Sequence, residues 1–276
     1  QTSIRTELAL QAFAKGKHVL LEKPVAMNVN EVEQLLAAKG DLIAGCCSSR
    51  FRFMESARFI ELFIQSGVLG KLRVIRCRIS NQARKPDKVP PLWLYSKAIN
   101  GGGTLADWGV YDLDYLLGLT GWSLKPKYVV GNVWTIPETY QSYIAEGSDA
   151  ETHAAASIYC EDGTVIQYER GTQVTAKEES AWQLIGTHGS LDLNMLPGNN
   201  KQILFHEATA EEGIRSKVVW EGSEDWEAIH RGPIYDFAEA ILEDREPATN
   251  LTNSLGIQKI IDGMYAAAEL KRAVEL

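Results

Sequence analysis

No G-x-G-x-x-G loop occurs anywhere in the 276 residues, so no glycine-rich cradle for a pyrophosphate is visible. No apolar stretch reaches about eighteen residues, which excludes a transmembrane helix, and no signal peptide is visible. Runs of basic residues are absent and the formal net charge is −8, so the chain lacks the footprint of a nucleic-acid binder. Cysteine is scarce. Cys46, Cys47, Cys77 and Cys160 lie in apolar, strand-like runs, and neighbours on a strand point to opposite faces, so Cys46 and Cys47 are not expected to pair. This pattern predicts buried free thiols and a cytoplasmic protein. The five histidines form no HxxxH or HxH pair, and no metal site is expected.

What is present is ordinary for a globular protein: 45% hydrophobic and 23% charged residues, enough chain for one or two domains. Residues 2–16 read as a helix stopped by Gly16, HVLLEKP as a short buried strand and turn, NVNEVEQLLAA as a helix capped by Asn28 or Asn30, and DLIAGCCSS as a second strand. Strand after helix, twice, is the rhythm of a parallel sheet. From residue 50 the texture changes. A helix at 54–67 precedes LRVIRCRIS, whose apolar residues alternate with Arg73, Arg76 and Arg78. Residues 82–100 read as a loop and 104–120 as a helix. Strand candidates then follow one another to residue 222, with a hairpin signal at EDGT, before helices near 227–243 and 252–274.

The expected fold is α/β plus α+β: the carboxyl-terminal part of a Rossmann-type parallel sheet, residues 1–48, then residues 49–276 with a large, mostly antiparallel sheet and helices on one side. The helix at 252–274 is expected to pack back on the first part. A sheet with one uncovered face favours a homodimer or homotetramer through that face.

Two segments carry chemistry. Glu22-Lys23-Pro24 ends a buried strand, the end at which open α/β sheets bind ligands, and Pro24 is a candidate cis-proline. GGGTLADWGVYDLD, 101–114, brings three glycines to a helix start. Thr104 and Asp107 form a capping-box-like pattern, and Asp107, Tyr111 and Asp114 share one helix face by spacing. Trp93, Tyr95, Trp108 and Trp134 could offer faces to a sugar ring or serve as core aromatics. Trp93 and Arg52 are the preferred pocket residues.

KGKHVLLEKPVA (15–26) and GGGTLADWGVYDLD, with SSRFRF and SGVLGKLRVIR between them, resemble the glucose–fructose oxidoreductase/inositol dehydrogenase (Gfo/Idh/MocA) family. The resemblance implies an NAD(P)-dependent oxidoreductase acting on CH–OH groups of a sugar, polyol or similar small molecule, with NAD or NADP as cofactor. It makes Lys23 the amine contacting substrate and nicotinamide, Glu22 a contact on the ribose side, Asp107 the helix acid and Tyr111 the acid/base. Arg5 and Tyr111 stand where that family commonly has histidines, and tyrosine at the second position resembles the glucose–fructose oxidoreductase branch. Asp114, Arg52 and Trp93 are then expected near substrate.

A lysine ammonium about 4 Å from a phenol would bring its pKa from ~10 to about 7, suited to a general base. The absent glycine loop leads to the expectation that this sequence is the carboxyl-terminal part of a longer oxidoreductase. The alternative is a non-catalytic module that binds a sugar-like ligand or self-associates.

Overall fold

The structure, a computed structural model, describes the backbone of residues 1–276 and every side chain but that of residue 228. The first layer is α1 (Arg5–Ala14), β1 (Val19–Leu21), α2 (Val29–Lys39) and β2 (Ala44–Cys46). The two strands are parallel, with Val19 opposite Ala44 and Leu21 opposite Cys46. Helix α2 starts where Asn28 accepts a 3.1 Å bond from the Glu31 backbone, satisfying one of its unpaired donors. Phe13, Leu21, Val32, Leu35 and Ala44 close this layer's core.

The second strand is shorter than expected. It stops at Cys46, and Cys47–Phe53 forms a 3₁₀ turn. Local side-chain bonds favour the turn over further pairing: the Ser49 hydroxyl donates to the Cys46 carbonyl (3.2 Å), and Arg50 to that of Cys47 (3.3 Å).

After α3 (Glu55–Gln65), the chain builds a nine-stranded sheet. Its strands are β3 (Leu72–Gln82), β4 (Pro126–Trp134), β5 (His153–Cys160), β6 (Val165–Val174), β7 (Glu179–Gly186), β8 (Gly189–Leu193), β9 (Lys201–Thr209), β10 (Gly213–Gly222) and β11 (Val274–Glu275). Their spatial order is β10-β9-β8-β7-β3-β6-β5-β4-β11, with β3 parallel to β6 and every other pair antiparallel. Alternation decides which face is covered. Ile75, Cys77, Ile158, Ile166, Leu184 and Phe205 face the helices, with Ile60, Leu113 and Ile260 against them.

The opposite face carries a polar row. Arg76 donates to Gln183 (2.9 Å), Gln183 donates to Asp192 (2.8 Å), and His206 lies 3.1 Å from Asp192. Tyr128, Val130, Trp134 and Tyr159 form an exposed apolar end to that face.

The expected loop at 82–100 contains a 3₁₀ turn, Leu92–Tyr95, and a short helix α4, Lys97–Asn100. Tyr95 anchors it in a small satellite core with Ile136, Ile144 and Ala150. Helix α6 spans Trp226–Glu243 and α7 spans Leu251–Leu270. Helix α7 stops four residues short of the expected 274, because Lys271 turns left-handed (φ 53°) and Val274–Glu275 joins the sheet beside β4. It touches both layers: Leu251 lies in the first core, Ile257 and Met264 in the second, and Asp262 accepts a 2.8 Å bond from the Val29 backbone.

The glycine run 101–103 is required by close approach. A Cβ on Gly102 would sit 2.0 Å from the Tyr265 hydroxyl, and one on Gly103 1.9 Å from the Glu151 carbonyl. Gly256, inside α7, has nothing within 4 Å of such a Cβ. Gly103→Ala is therefore expected to cost about 2 kcal/mol or more. Gly256→Ala should add roughly 0.5–1 kcal/mol through helix propensity. Urea unfolding of the two variants beside the parent checks both signs.

Candidate active site

Lys23 leaves the carboxyl end of β1 through a cis Lys23–Pro24 peptide. Arg5, from the first turn of α1, donates to the Pro24 carbonyl and braces that turn. The Lys23 ammonium then crosses to the second layer, where it donates to the Asp107 carbonyl (2.6 Å) and forms an ion pair with the Asp107 carboxylate. Two of its three donors are thereby used, and one is left for a ligand. Thr2, Arg5, Glu22, Lys23, Trp93 and Asp107 are among the walls of a cavity of about 440 Å³ at this point. Trp93 is 45% exposed.

Asp107 lies in a π turn, Leu105–Gly109, that runs into α5, Val110–Leu119. The expected capping box is absent. The Thr104 hydroxyl is buried without a partner and the Asp107 side chain is committed to Lys23. The cap is Glu151, 1% exposed, just ahead of β5. Its carboxylate accepts from the Gly103 backbone (3.0 Å), the Leu105 backbone (2.9 Å) and the Tyr265 hydroxyl (3.0 Å). Burial raises its pKa above the ordinary glutamate value, and those bonds pull it back.

The shared helix face is realised only in part: Asp107 and Tyr111 both meet Lys23, whereas Asp114 is taken up by other partners. Asp114 is 0% exposed and accepts from Ser48 (2.6 Å), Thr249 (2.7 Å) and Arg52 (2.8 Å). Arg52 in turn donates to the Ala248 carbonyl and stacks over Trp122. Arg52 and Asp114, expected near substrate, form instead a buried clamp, since an unpaired carboxylate there would be costly. Trp108 also belongs to a brace: Arg170, in a buried ion pair with Asp112, lies 5.1 Å from its ring centre. Trp134 stands beside His153 (5.1 Å), and Tyr95 is buried.

Tyr111 is near Lys23, though not as expected. The ammonium lies 4.7 Å from the ring centre, over the face, and Phe51 packs edge-on at 5.2 Å. Burial pushes the phenol well above its usual value, Arg50 opposes this, and Glu22 and Asp107 reinforce it. The expected drop toward neutrality is therefore corrected. The charge of Lys23 is neutralised by Asp107 and is not aimed at the phenolic oxygen.

Glu151 gave no local signal, being one acid ahead of a strand. Arg50 had one: it follows β2 as Lys23 follows β1, at the same sheet end. Among the described residues no cluster of three or more histidine, cysteine or acidic side chains is placed to hold a metal, and no helix is long and apolar enough to cross a membrane.

A parallel layer whose strand ends in Glu-Lys-Pro, facing a helix acid from a large open-faced sheet, is the architecture of a two-part dehydrogenase of the dinucleotide-dependent class. Residues 1–41 match the oxidoreductase family with an NAD-binding Rossmann fold, and residues 58–192 match the GFO/IDH/MocA C-terminal domain. The chain belongs to this Gfo/Idh/MocA family of oxidoreductases.

Among relatives, it is 24% identical over 259 residues to the uncharacterized oxidoreductase YrbE of Bacillus subtilis, covering 93% of this chain and 70% of that protein. It is 22% identical over 275 residues to levoglucosan dehydrogenase of Pseudarthrobacter phenanthrenivorans, covering 94% and 66%. The chain thus spans about two thirds of the length of these relatives. A solved structure of levoglucosan dehydrogenase with NADH superposes with a TM-score of 0.84 at 18% identity, covering 99% of this chain and 77% of that one.

One outcome separates the two views of Tyr111. A raised pKa keeps the proton on the phenol through and beyond neutrality, whereas a lowered one would release it near pH 7. The tyrosinate absorbance of the parent minus that of Tyr111→Phe should stay flat up to about pH 10. A step near neutrality would restore the lowered phenol.

Proposed function

We propose that the chain supplies the substrate and acid/base groups of an NAD(P)-dependent dehydrogenase acting on a hydroxyl-bearing carbon of a sugar or polyol. The observation that carries this is the Lys23–Asp107 pair, which joins the two layers beside a cavity that also holds Trp93. An aromatic face among polar groups suits a ring with apolar C–H faces and hydroxyl edges.

The nicotinamide end of a dinucleotide fits the residues present. Glu22, with a half-exposed carboxylate, would meet a ribose hydroxyl, and Arg5 and Lys23 would border the ring. When bound, that group supplies the acceptor or donor of a hydride.

The protein's own part follows from the geometry. Lys23 gives its remaining N–H to the substrate oxygen and stabilises negative charge there, in a cleft where such charge is poorly screened. Asp107 fixes the ammonium by two contacts, so it needs no reorganisation. The Tyr111 hydroxyl gives a proton to the substrate oxygen in carbonyl reduction and takes it back in alcohol oxidation. Burial, by keeping that proton on the phenol, favours the donor direction.

Kinetics of the protein expressed from its native reading frame test this, with levoglucosan and myo-inositol as probe alcohols and NADH formation as the readout. Lys23→Ala and Tyr111→Phe should each lower kcat/KM by ~100-fold or more. Parental turnover in both variants would refute the assignment. A calorimetric titration showing no nicotinamide binding would favour the non-catalytic module.

The exposed Tyr128, Val130, Trp134 and Tyr159 also support association of copies through the open sheet face. Sedimentation equilibrium should give a dimer or tetramer that Trp134→Glu, combined with Tyr159→Glu, weakens.

A further inference from the structure

With Lys23 bound to Asp107, the phenolate that Tyr111 must become after giving up its proton needs another source of positive charge. A second cation flanks the same ring. The Arg50 guanidinium carbon lies 5.0 Å from the Tyr111 ring centre, against 4.7 Å for the Lys23 ammonium.

Arg50 stands on the 3₁₀ turn that follows β2, one strand over from Lys23 in the same carboxyl-end crevice. Three contacts hold it in place. Its Nε donates to the Cys47 carbonyl (3.3 Å), one terminal nitrogen donates to Glu22 (3.0 Å), and the other faces Nδ1 of His230 on α6 at 3.2 Å. Its side chain is 13% exposed, so the charge is only weakly screened. A planar fork anchored at each nitrogen is a fixed charge, which a flexible ammonium would not be. The other nearby arginine, Arg5 in the cavity wall, is turned to the Pro24 carbonyl.

We propose that Arg50 is a positioning residue for Tyr111, whose fixed charge stabilises the phenolate formed as the Tyr111 proton passes to the substrate oxygen. This rests on the acid/base reading of Tyr111. The step balances within the site: the phenolic O–H bond breaks, the proton joins the substrate oxygen, and the negative charge stays on the Tyr111 oxygen. Of the charges around the ring, Arg50 favours phenolate while Glu22, Asp107 and Cys46 oppose it. Glu22 both orients Arg50 and offsets part of its field. His230, with Nδ1 3.2 Å from Arg50, ties the arrangement to α6.

A double-mutant cycle decides it, run with the same probe alcohols and NADH readout on protein from the native reading frame. Arg50→Met should lower kcat by ~100-fold with KM nearly unchanged, because the charge acts only as the proton moves. Arg50→Lys, keeping the charge without the fork, should recover about a tenth of parental kcat or more. In a Tyr111→Phe background, Arg50→Met should cost less than about twofold further, since the group it serves is gone. Thermal melts of Arg50→Met and Arg50→Lys show that the fold is retained.

Parental kcat in Arg50→Met would overturn the Arg50 role while Tyr111→Phe remained impaired. So would a loss from Arg50→Met that is undiminished in the Tyr111→Phe background. Parental kcat in Tyr111→Phe would instead remove the acid/base reading, and the role of Arg50 with it.

Discussion

The ion pair between Lys23 and Asp107 is the contact on which the site depends. Each partner comes from a different layer, so the pair exists only when β1 and the π turn are held in register. A partly buried ammonium facing a single carboxylate is a costly arrangement unless its remaining donors are used. The Asp107 carbonyl, within the π turn, uses one. The irregular backbone and the ion pair are thus two aspects of one constraint.

That constraint is passed outward through buried groups. Glu151 and Tyr265 grip the start of the π turn, and Gly102 and Gly103 make room for them. The Asp112–Arg170 pair with Tyr168, and the Asp114–Arg52 pair with Ser48 and Thr249, tie the next turns of α5 to the sheet and to the segment before α7. Two fully buried carboxylates two residues apart on one helix would repel the fold if unpaired. Each has an arginine, so the helix is fixed in rotation about its axis as well as along it. Tyr111, one residue ahead of Asp112, inherits that fixed rotation.

Much of this was legible in the sequence. Alternating apolar residues in LRVIRCRIS and the helix–strand rhythm of residues 2–48 gave the layers, because burial on one face leaves a periodic mark. Glu22-Lys23-Pro24 and GGGTLADWGVY gave the lysine and the helix acid, because both motifs are local. What was illegible was non-local. Asp114 was expected near substrate because spacing puts it on the helix face of Asp107 and Tyr111, and Arg52 because it follows a strand end. The two are instead committed to each other in a buried pair across 62 residues of sequence, which spacing does not reveal. The phenol of Tyr111 was expected to fall in pKa from the nearness of an ammonium alone. Its actual direction depends on desolvation and on where the ammonium's own counter-ion lies, which only three-dimensional packing decides.

Helix α7 has a mechanical consequence. It is a long rod shared by both layers, with Leu251 seated in the first core, Met264 in the second, and Asp262 bonded to the backbone at the start of α2. A hinge between the layers would have to shear this rod or break that bond. Opening of the cleft by rotation is therefore stiff. The segment carrying Trp93 borders the cavity and is fastened to the rest of the molecule by Tyr95 in its satellite core and by the bonds that the Asp149 and Ala150 backbones donate to the Tyr95 carbonyl.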